Sequence, residues 1–286
     1  MFNLFLLKKL KSIVNKDDKK ASLTDGLAEF CRDYNLGSIK GKSVSFNDDD
    51  KAHIRQILNN KGHSLLEGVN GTMSRVEKLR YGPNEKSGGG SLKRNRVSIK
   101  AAGKNPLLVN GNSIQLPERS HLDIEISQVS STQHNAVILV ENYENFNRFS
   151  ETEMLLPPDF DNPLVIYRGD KNESRLDAVL SFLDLFKLPV LAAVDIDPYG
   201  LVNVMGIKGL AGVLAPTNAE LDKLFSSRKT SRVDLYESHY LSCHSSLDNL
   251  PENHFCKKLW ALIKMNKAGI VQEQFLTLRL PLVLWQ

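Results

Sequence analysis

Asp195 and Asp197 close the stretch Pro189-Val190-Leu191-Ala192-Ala193-Val194-Asp195-Ile196-Asp197-Pro198-Tyr199-Gly200. An apolar run ends there in two acids spaced i, i+2, and Pro and Gly follow. A short continuous apolar run bounded by turn residues predicts a buried strand of a parallel sheet. The acids then stand at its carboxyl end, where open α/β sheets bind ligands. On a strand, residues two apart face the same way. Two carboxylates that close repel unless a proton or a cation lies between them. A hard divalent cation with a preference for oxygen, Mg²⁺ or Mn²⁺, meets that need.

A third acid stands in the same kind of place. His134-Asn135-Ala136-Val137-Ile138-Leu139-Val140-Glu141-Asn142 is another apolar run ending in a carboxylate. Strand ends of a parallel sheet lie on one edge, so Glu141 is expected to meet Asp195 and Asp197. Val140-Glu141-Asn142 followed by Val194-Asp195-Ile196-Asp197-Pro198-Tyr199-Gly200 resembles Toprim domains. The match is closest to the branch that contains topoisomerase VI A subunits and the JetD nuclease subunits of Wadjet plasmid-defence systems. The resemblance implies a metal-dependent DNA endonuclease cutting duplex DNA, with Glu141, Asp195 and Asp197 as catalytic metal ligands. It also implies a homodimer gated by a condensin-like ATPase complex. A Gln/Glu stretch near the C-terminus also occurs in JetD-type nucleases, which makes Glu273 a further candidate ligand. In the topoisomerase branch a tyrosine attacks, one of an adjacent pair after an Arg and an acid. The front half here offers only Tyr34 and Tyr81, each single, and Arg80-Tyr81 runs into Gly82-Pro83. That departure favours water as nucleophile. The alternatives are a tyrosine-dependent DNA-breaking subunit and a Toprim protein that binds DNA without cutting it.

The charge distribution supplies a second feature. Residues 1–130 carry 22 Lys and Arg against 14 Asp and Glu, a surplus of eight, and the remainder carries 15 against 19. A basic front half and an acidic rear half predict that one binds polyanion and the other metal. The basic centre is Arg75, Lys78, Arg80, Lys86, Lys93, Arg94, Arg96, Lys100 and Lys104, with only Glu77 and Glu85 among them. It includes the loop Lys86-Ser87-Gly88-Gly89-Gly90-Ser91, whose glycines suit a chain that follows phosphates. Arg75, Lys78, Arg80, Lys86, Lys93, Arg94 and Arg96 are the expected DNA contacts.

The elements that would position these residues follow from periodicity. Residues 1 to about 40 read as two short helices, with Phe2, Leu6, Leu10 and Ile13 on one stripe of the first. Asn47 caps a helix with acids in its first turn, and another short helix is expected over 74–82. The period then changes to two, over 96–100 and 121–126, with a hairpin at Asn110-Gly111. From about 135, strands and helices alternate, as in a parallel sheet with right-handed crossovers. The expectation is an α+β, winged-helix-like N-terminal module, an α/β Toprim domain and a helical C-terminal extension. The boundaries fall at 1–45 for a helical arm, 46–130 for the basic module, 131–230 for the catalytic domain and 231–286 for the extension. No apolar run is long enough to span a membrane. Three cysteines without a paired motif fit a reducing, cytoplasmic setting.

Overall fold

The computed structural model describes residues 2, 4–15, 20–61, 95–170 and 176–286. They fall into two compact units, residues 1–92 and 93–286. The expected helix at 74–82 and the glycine loop at 86–91 lie outside the described residues. No helix among the described residues is long and apolar enough to cross a membrane.

The first unit contains α1 (Leu4–Asn15), β1 (Lys20–Ser22), α2 (Asp25–Tyr34), β2 (Ser38–Lys40), β3 (Ser43–Ser45) and α3 (Asp48–Asn60). The strands form a small antiparallel sheet in the order β1-β3-β2. Sequence periodicity indicates the helices but not these three-residue strands, which are too short to show alternation. The apolar stripe of α1 is buried at Leu6, Leu10 and Ile13, against a core that includes Leu27, Phe30, Phe46, Ile54 and Leu58. Asn47 caps α3 as expected. Its side chain accepts from the Asp50 N–H at 2.7 Å, and the Asp50 carboxylate accepts from the Asn47 N–H at 3.0 Å. Gly37 is required at its turn, because its φ is +75° and the Phe46 and Val44 side chains occupy the space a Cβ would take.

The second unit is built on one eight-stranded sheet. Its strands are β4 (Arg96–Ala101), β7 (Leu122–Glu125), β8 (Ala136–Val140), β9 (Met154–Leu155), β10 (Pro163–Tyr167), β11 (Val190–Ala193), β12 (Leu210–Ala215) and β13 (Leu282–Trp285), in the order β7-β4-β10-β8-β11-β12-β13-β9. The hairpin β5 (Leu107–Val109) and β6 (Asn112–Ile114) stands apart, joined through Asn110 and Gly111 with φ of 53° and 72°. Both positive values are what a type I′ turn requires. The helices are α4 (Tyr143–Asn147), α5 (Leu176–Phe186), α6 (Pro198–Met205), α7 (Asn218–Ser226), α8 (Val233–Asp248), α9 (Phe255–Asn266) and α10 (Glu273–Thr277).

The sheet corrects two expectations. It is mixed rather than wholly parallel: β10, β8, β11 and β12 run parallel, while β4 and β13 pair antiparallel on either side. In addition, β4 and β7, read as part of a separate basic module, are strands of this same sheet. Burial gives the reason. Residues 97–101 are all buried, so the apparent alternation of Arg96-Val97-Ser98-Ile99-Lys100 does not mark a solvent face. Lys100 is 5% exposed, donates to the Asn147 carbonyl at 3.0 Å and lies 4.9 Å above the Phe146 ring. Burial pulls its pKa down to about 8. The C-terminal residues, expected to be helical, end in β13 and close the sheet against β12.

The central strands β8, β10 and β11 are buried at every position, which accounts for their unbroken apolar sequences. From β8 the chain passes to β10 on one side. It then returns to β11 on the other side of β8 and continues outward to β12. The direction of winding therefore reverses between β8 and β11, the position at which open α/β sheets form a crevice outside their strand ends.

Candidate functional site

Register brings the predicted acids to that crevice. Val140 stands opposite both Ala193 and Tyr167. Glu141, the next residue, donates its N–H to the Ala193 carbonyl at 3.0 Å. Arg168, just past β10, donates its N–H to the Val140 carbonyl at 2.8 Å. One Arg168 guanidinium nitrogen then reaches Glu141 Oε1 at 2.9 Å, and Asn203 Nδ2 on α6 reaches the same oxygen at 3.2 Å. The Glu141 side chain is 20% exposed and that of Arg168 23%.

Asp195 and Asp197 lie in the extended segment between β11 and α6. Ile196, between them, exchanges both backbone hydrogen bonds with Ile270, at 2.9 and 3.0 Å. Asp195 Oδ1 accepts from the Gln272 N–H at 2.7 Å. Asp197 is the N-cap of α6: its Oδ1 accepts from the Gly200 N–H at 2.6 Å. Its Oδ2 faces His239 Nδ1 on α8 at 3.2 Å. The Asp197 side chain is 4% exposed. One oxygen of Asp195 is thus spent on local structure, and both oxygens of Asp197 have protein partners, Gly200 and His239.

The segment after α9 is the wall of this site. Gly269 exchanges backbone bonds with Arg232, and Ile270 with Ile196. Further along the same segment, Glu273 Oε1 accepts from Asn142 Nδ2 at 2.7 Å. Glu273 is therefore brought beside the residue that follows Glu141. Glycine is needed at two points of the wall and floor. A Cβ on Gly269 would stand 2.7 Å from the Asp197 Cβ, and a Cβ on Gly200 would overlap the Asp195 carbonyl.

The acids perturb one another. The Asp195 carboxyl is pushed up to about 7, chiefly by burial, with the Asp197, Glu141 and Glu273 charges adding to it and the Gln272 N–H opposing. Burial also raises Glu141, against Arg168 and Asn203, with Asp197 adding a further upward push. Asp197 is raised by burial and opposed by the Gly200 N–H and His239. Arg232, gripped by Asp234 at 2.8 and 2.6 Å, contributes a cation whose field reaches Asp195 and Glu273. Three carboxyls all raised, chiefly by burial, in one crevice mark a functional-site candidate.

As the side chains stand, no three His, Cys, Asp or Glu residues among the described ones converge closely enough to enclose a metal ion. The donor set nonetheless fits a hard divalent cation in kind. It is all carboxylate oxygen and largely buried, and a cation would offset both the burial that chiefly raises Asp195 and the neighbouring charges that add to it.

The predicted DNA contacts are only partly within view. Arg75, Lys78, Arg80, Lys86, Lys93 and Arg94 lie outside the described residues. Arg96 is on β4, paired with Asp123 Oδ1 at 2.7 Å. Lys100 is turned inward, so it does not belong to a phosphate-facing surface. Tyr34 is packed on Phe30, ring centroids 4.9 Å apart, and Tyr81 is outside the described residues. Sequence reasoning missed Arg168, Asn203, His239 and Gln272. Arg168 had a usable signal, since it follows an apolar strand on the same edge as the acids. The others reach the site from helices or loops whose local sequence carries no mark of it.

Residues 94–284, more than half of the chain, match the family model described as Domain of unknown function (DUF7281). No curated protein matches the chain.

Proposed function

The chain belongs to the DUF7281 family, and we propose that it is a metal-dependent DNA endonuclease with a Toprim-type site. The observation that supports this reading is that Glu141, Asp195 and Asp197 follow neighbouring strand ends at the winding reversal between β8 and β11, close enough for their charges to act on one another, with Glu273 acting on Asp195 as well. In this proposal Asp195, Asp197 and Glu141 hold Mg²⁺ or Mn²⁺, and Glu273 is a fourth candidate ligand. Bound there, the ion would polarise the scissile phosphate and stabilise the leaving oxygen. Arg168 and Asn203 fix the orientation of Glu141 through Oε1. With Oε1 so held, its other oxygen would serve either as a ligand of the ion or as the group that takes a proton from the attacking water. Asp197 keeps α6 seated through Oδ1, its Oδ2 would take the ion in company with or in exchange for the His239 contact, and Gln272 sets the rotation of Asp195. Water rather than tyrosine is the nucleophile, which agrees with Tyr34 being engaged in an aromatic cluster.

The remaining parts of the proposal rest on the resemblance to JetD and topoisomerase VI A subunits. They are a winged-helix-like N-terminal part and a basic region, Arg75 to Arg96, that holds duplex DNA. The protein acts as a homodimer, which places two single-strand cuts on a pseudo-dyad duplex. It is gated by a condensin-like ATPase complex in an antiplasmid role. The test is to mix the purified protein with supercoiled plasmid and Mg²⁺ or Mn²⁺. Nicked and linear products in wild type, absent in Asp195→Ala, are expected. Equal cleavage by the variant would overturn the reading of the site, and strong cutting of every circular and linear DNA by the isolated protein would overturn the gating.

A further inference from the structure

Tyr199 stands apart from its neighbours in the first turn of α6. Pro198, Gly200 and Leu201 are buried, whereas Tyr199 is 50% exposed. Its ring lies against His239 with centroids 5.2 Å apart and planes tilted by 39°. His239 in turn meets Asp197 Oδ2 at 3.2 Å. The acid, the imidazole and the phenol ring are thus one contiguous unit. The root of the ring is two residues from Asp197, within about 7 Å. One side of the ring is supported by His239, and half of the residue's surface is exposed.

Such a ring has a specific use. Aromatic side chains bind nucleic-acid strands by stacking on bases, a contact that tolerates any sequence because every base has a π-face. A ring already braced loses little freedom on stacking. In an intact duplex the base faces are covered by their neighbours, so only an unpaired or displaced base can lie on the ring. We propose that Tyr199, braced by His239, is a base-stacking platform, and that the strand enters this site with an unpaired nucleotide beside the scissile phosphate. The substrate class is single-stranded or locally opened DNA. This inference rests on reading the acid crevice as a DNA-cleaving site.

The probe is a single-stranded oligonucleotide carrying one 2-aminopurine, walked through successive positions. It is bound to the full chain with Ca²⁺ in place of Mg²⁺. Affinity is read by anisotropy and stacking by quenching of the 2-aminopurine. Wild type and Tyr199→Phe should bind alike and quench at one position. Tyr199→Ala should lose the quench and bind about 5- to 150-fold more weakly, the range one stacked base contributes. Its melting temperature should stay near wild type, since the ring is half exposed. A fully paired duplex of the same sequence should bind wild type and Tyr199→Ala equally. If Tyr199→Ala binds and quenches like wild type, or Tyr199→Phe fails as Ala does, the stacking role is wrong while the cleavage reading stands. If wild type binds no DNA, both are wrong.

Discussion

Replacing Asp197 separates its two duties. Its Oδ1 caps α6 by accepting the Gly200 N–H at 2.6 Å, and its charge acts on Asp195 and Glu141. Asp197→Asn keeps an acceptor of the same shape for the cap and removes the charge. Asp197→Ala removes both, and leaves the Gly200 N–H unpaired in a buried place. Loss of a cap costs about 0.5–2 kcal/mol, and an unsatisfied buried donor costs about 1–3 kcal/mol. These describe the same bond, so the Ala variant should lose about 1–2 kcal/mol. For a unit of this size that is a fall in Tm of about 2–8 °C. The Asn variant should melt near wild type or above it, because one of several mutually repelling charges is gone. Both should fail to cleave plasmid, since an amide is a poor ligand for a hard cation. Thermal melts in the absence of divalent ions and cleavage gels with Mg²⁺ read the two duties independently. An Asn variant as unstable as Ala would refute the capping argument. An Asn variant that cleaves at the wild-type rate would refute the metal argument.

The pH dependence of stability offers a second check. The Asp195 carboxyl titrates near 7 in the fold against 3.8 as its ordinary value. The native state therefore holds an extra proton between those values, and this contribution to stability falls as pH rises through that window. Asp195→Asn should remove that slope, so the Tm of the variant relative to wild type should climb from about pH 4 to about pH 7 in the absence of divalent ions. A difference that does not change with pH would contradict it. Gly269→Ala should cost about 1–3 kcal/mol, as overpacking does, and weaken cleavage, because the new Cβ displaces Asp197 or the segment carrying Glu273. Gly206→Ala, with open space around it and φ of −85°, is the control and should be neutral in both assays. Finally, Lys93→Ala, Arg94→Ala and Arg96→Ala together should weaken binding to all DNA sequences alike and flatten the dependence of affinity on salt. Unchanged affinity and slope would place the DNA surface elsewhere.

Local signals in this chain were reliable where a local cause acts. Asn110-Gly111 gave a turn because both residues must take positive φ, and Asn47 gave a helix start because its side chain can satisfy an orphan N–H. Continuity of apolar residues was similarly informative. The unbroken runs at 136–140, 163–167 and 190–193 are buried strands, and the acids that follow two of them stand beyond neighbouring strands.

The amino-acid sequence by itself determined that strands alternate with helices behind residue 135 and that Glu141, Asp195 and Asp197 come just after strand ends. Those features follow from side-chain burial along a few consecutive residues. Only the tertiary structure decided which strands are neighbours, and so that the acids sit where the winding reverses. It alone turned Lys100 inward, because whether a lysine in an alternating strand faces water depends on what covers it, here Phe146 and the Asn147 carbonyl. It alone brought Gln272, Glu273 and His239 to the crevice. Their contacts to residues 142, 195 and 197 cross between 42 and 131 positions of chain. Separations of that size leave no periodic trace, since the packing that closes them is set by the whole sheet.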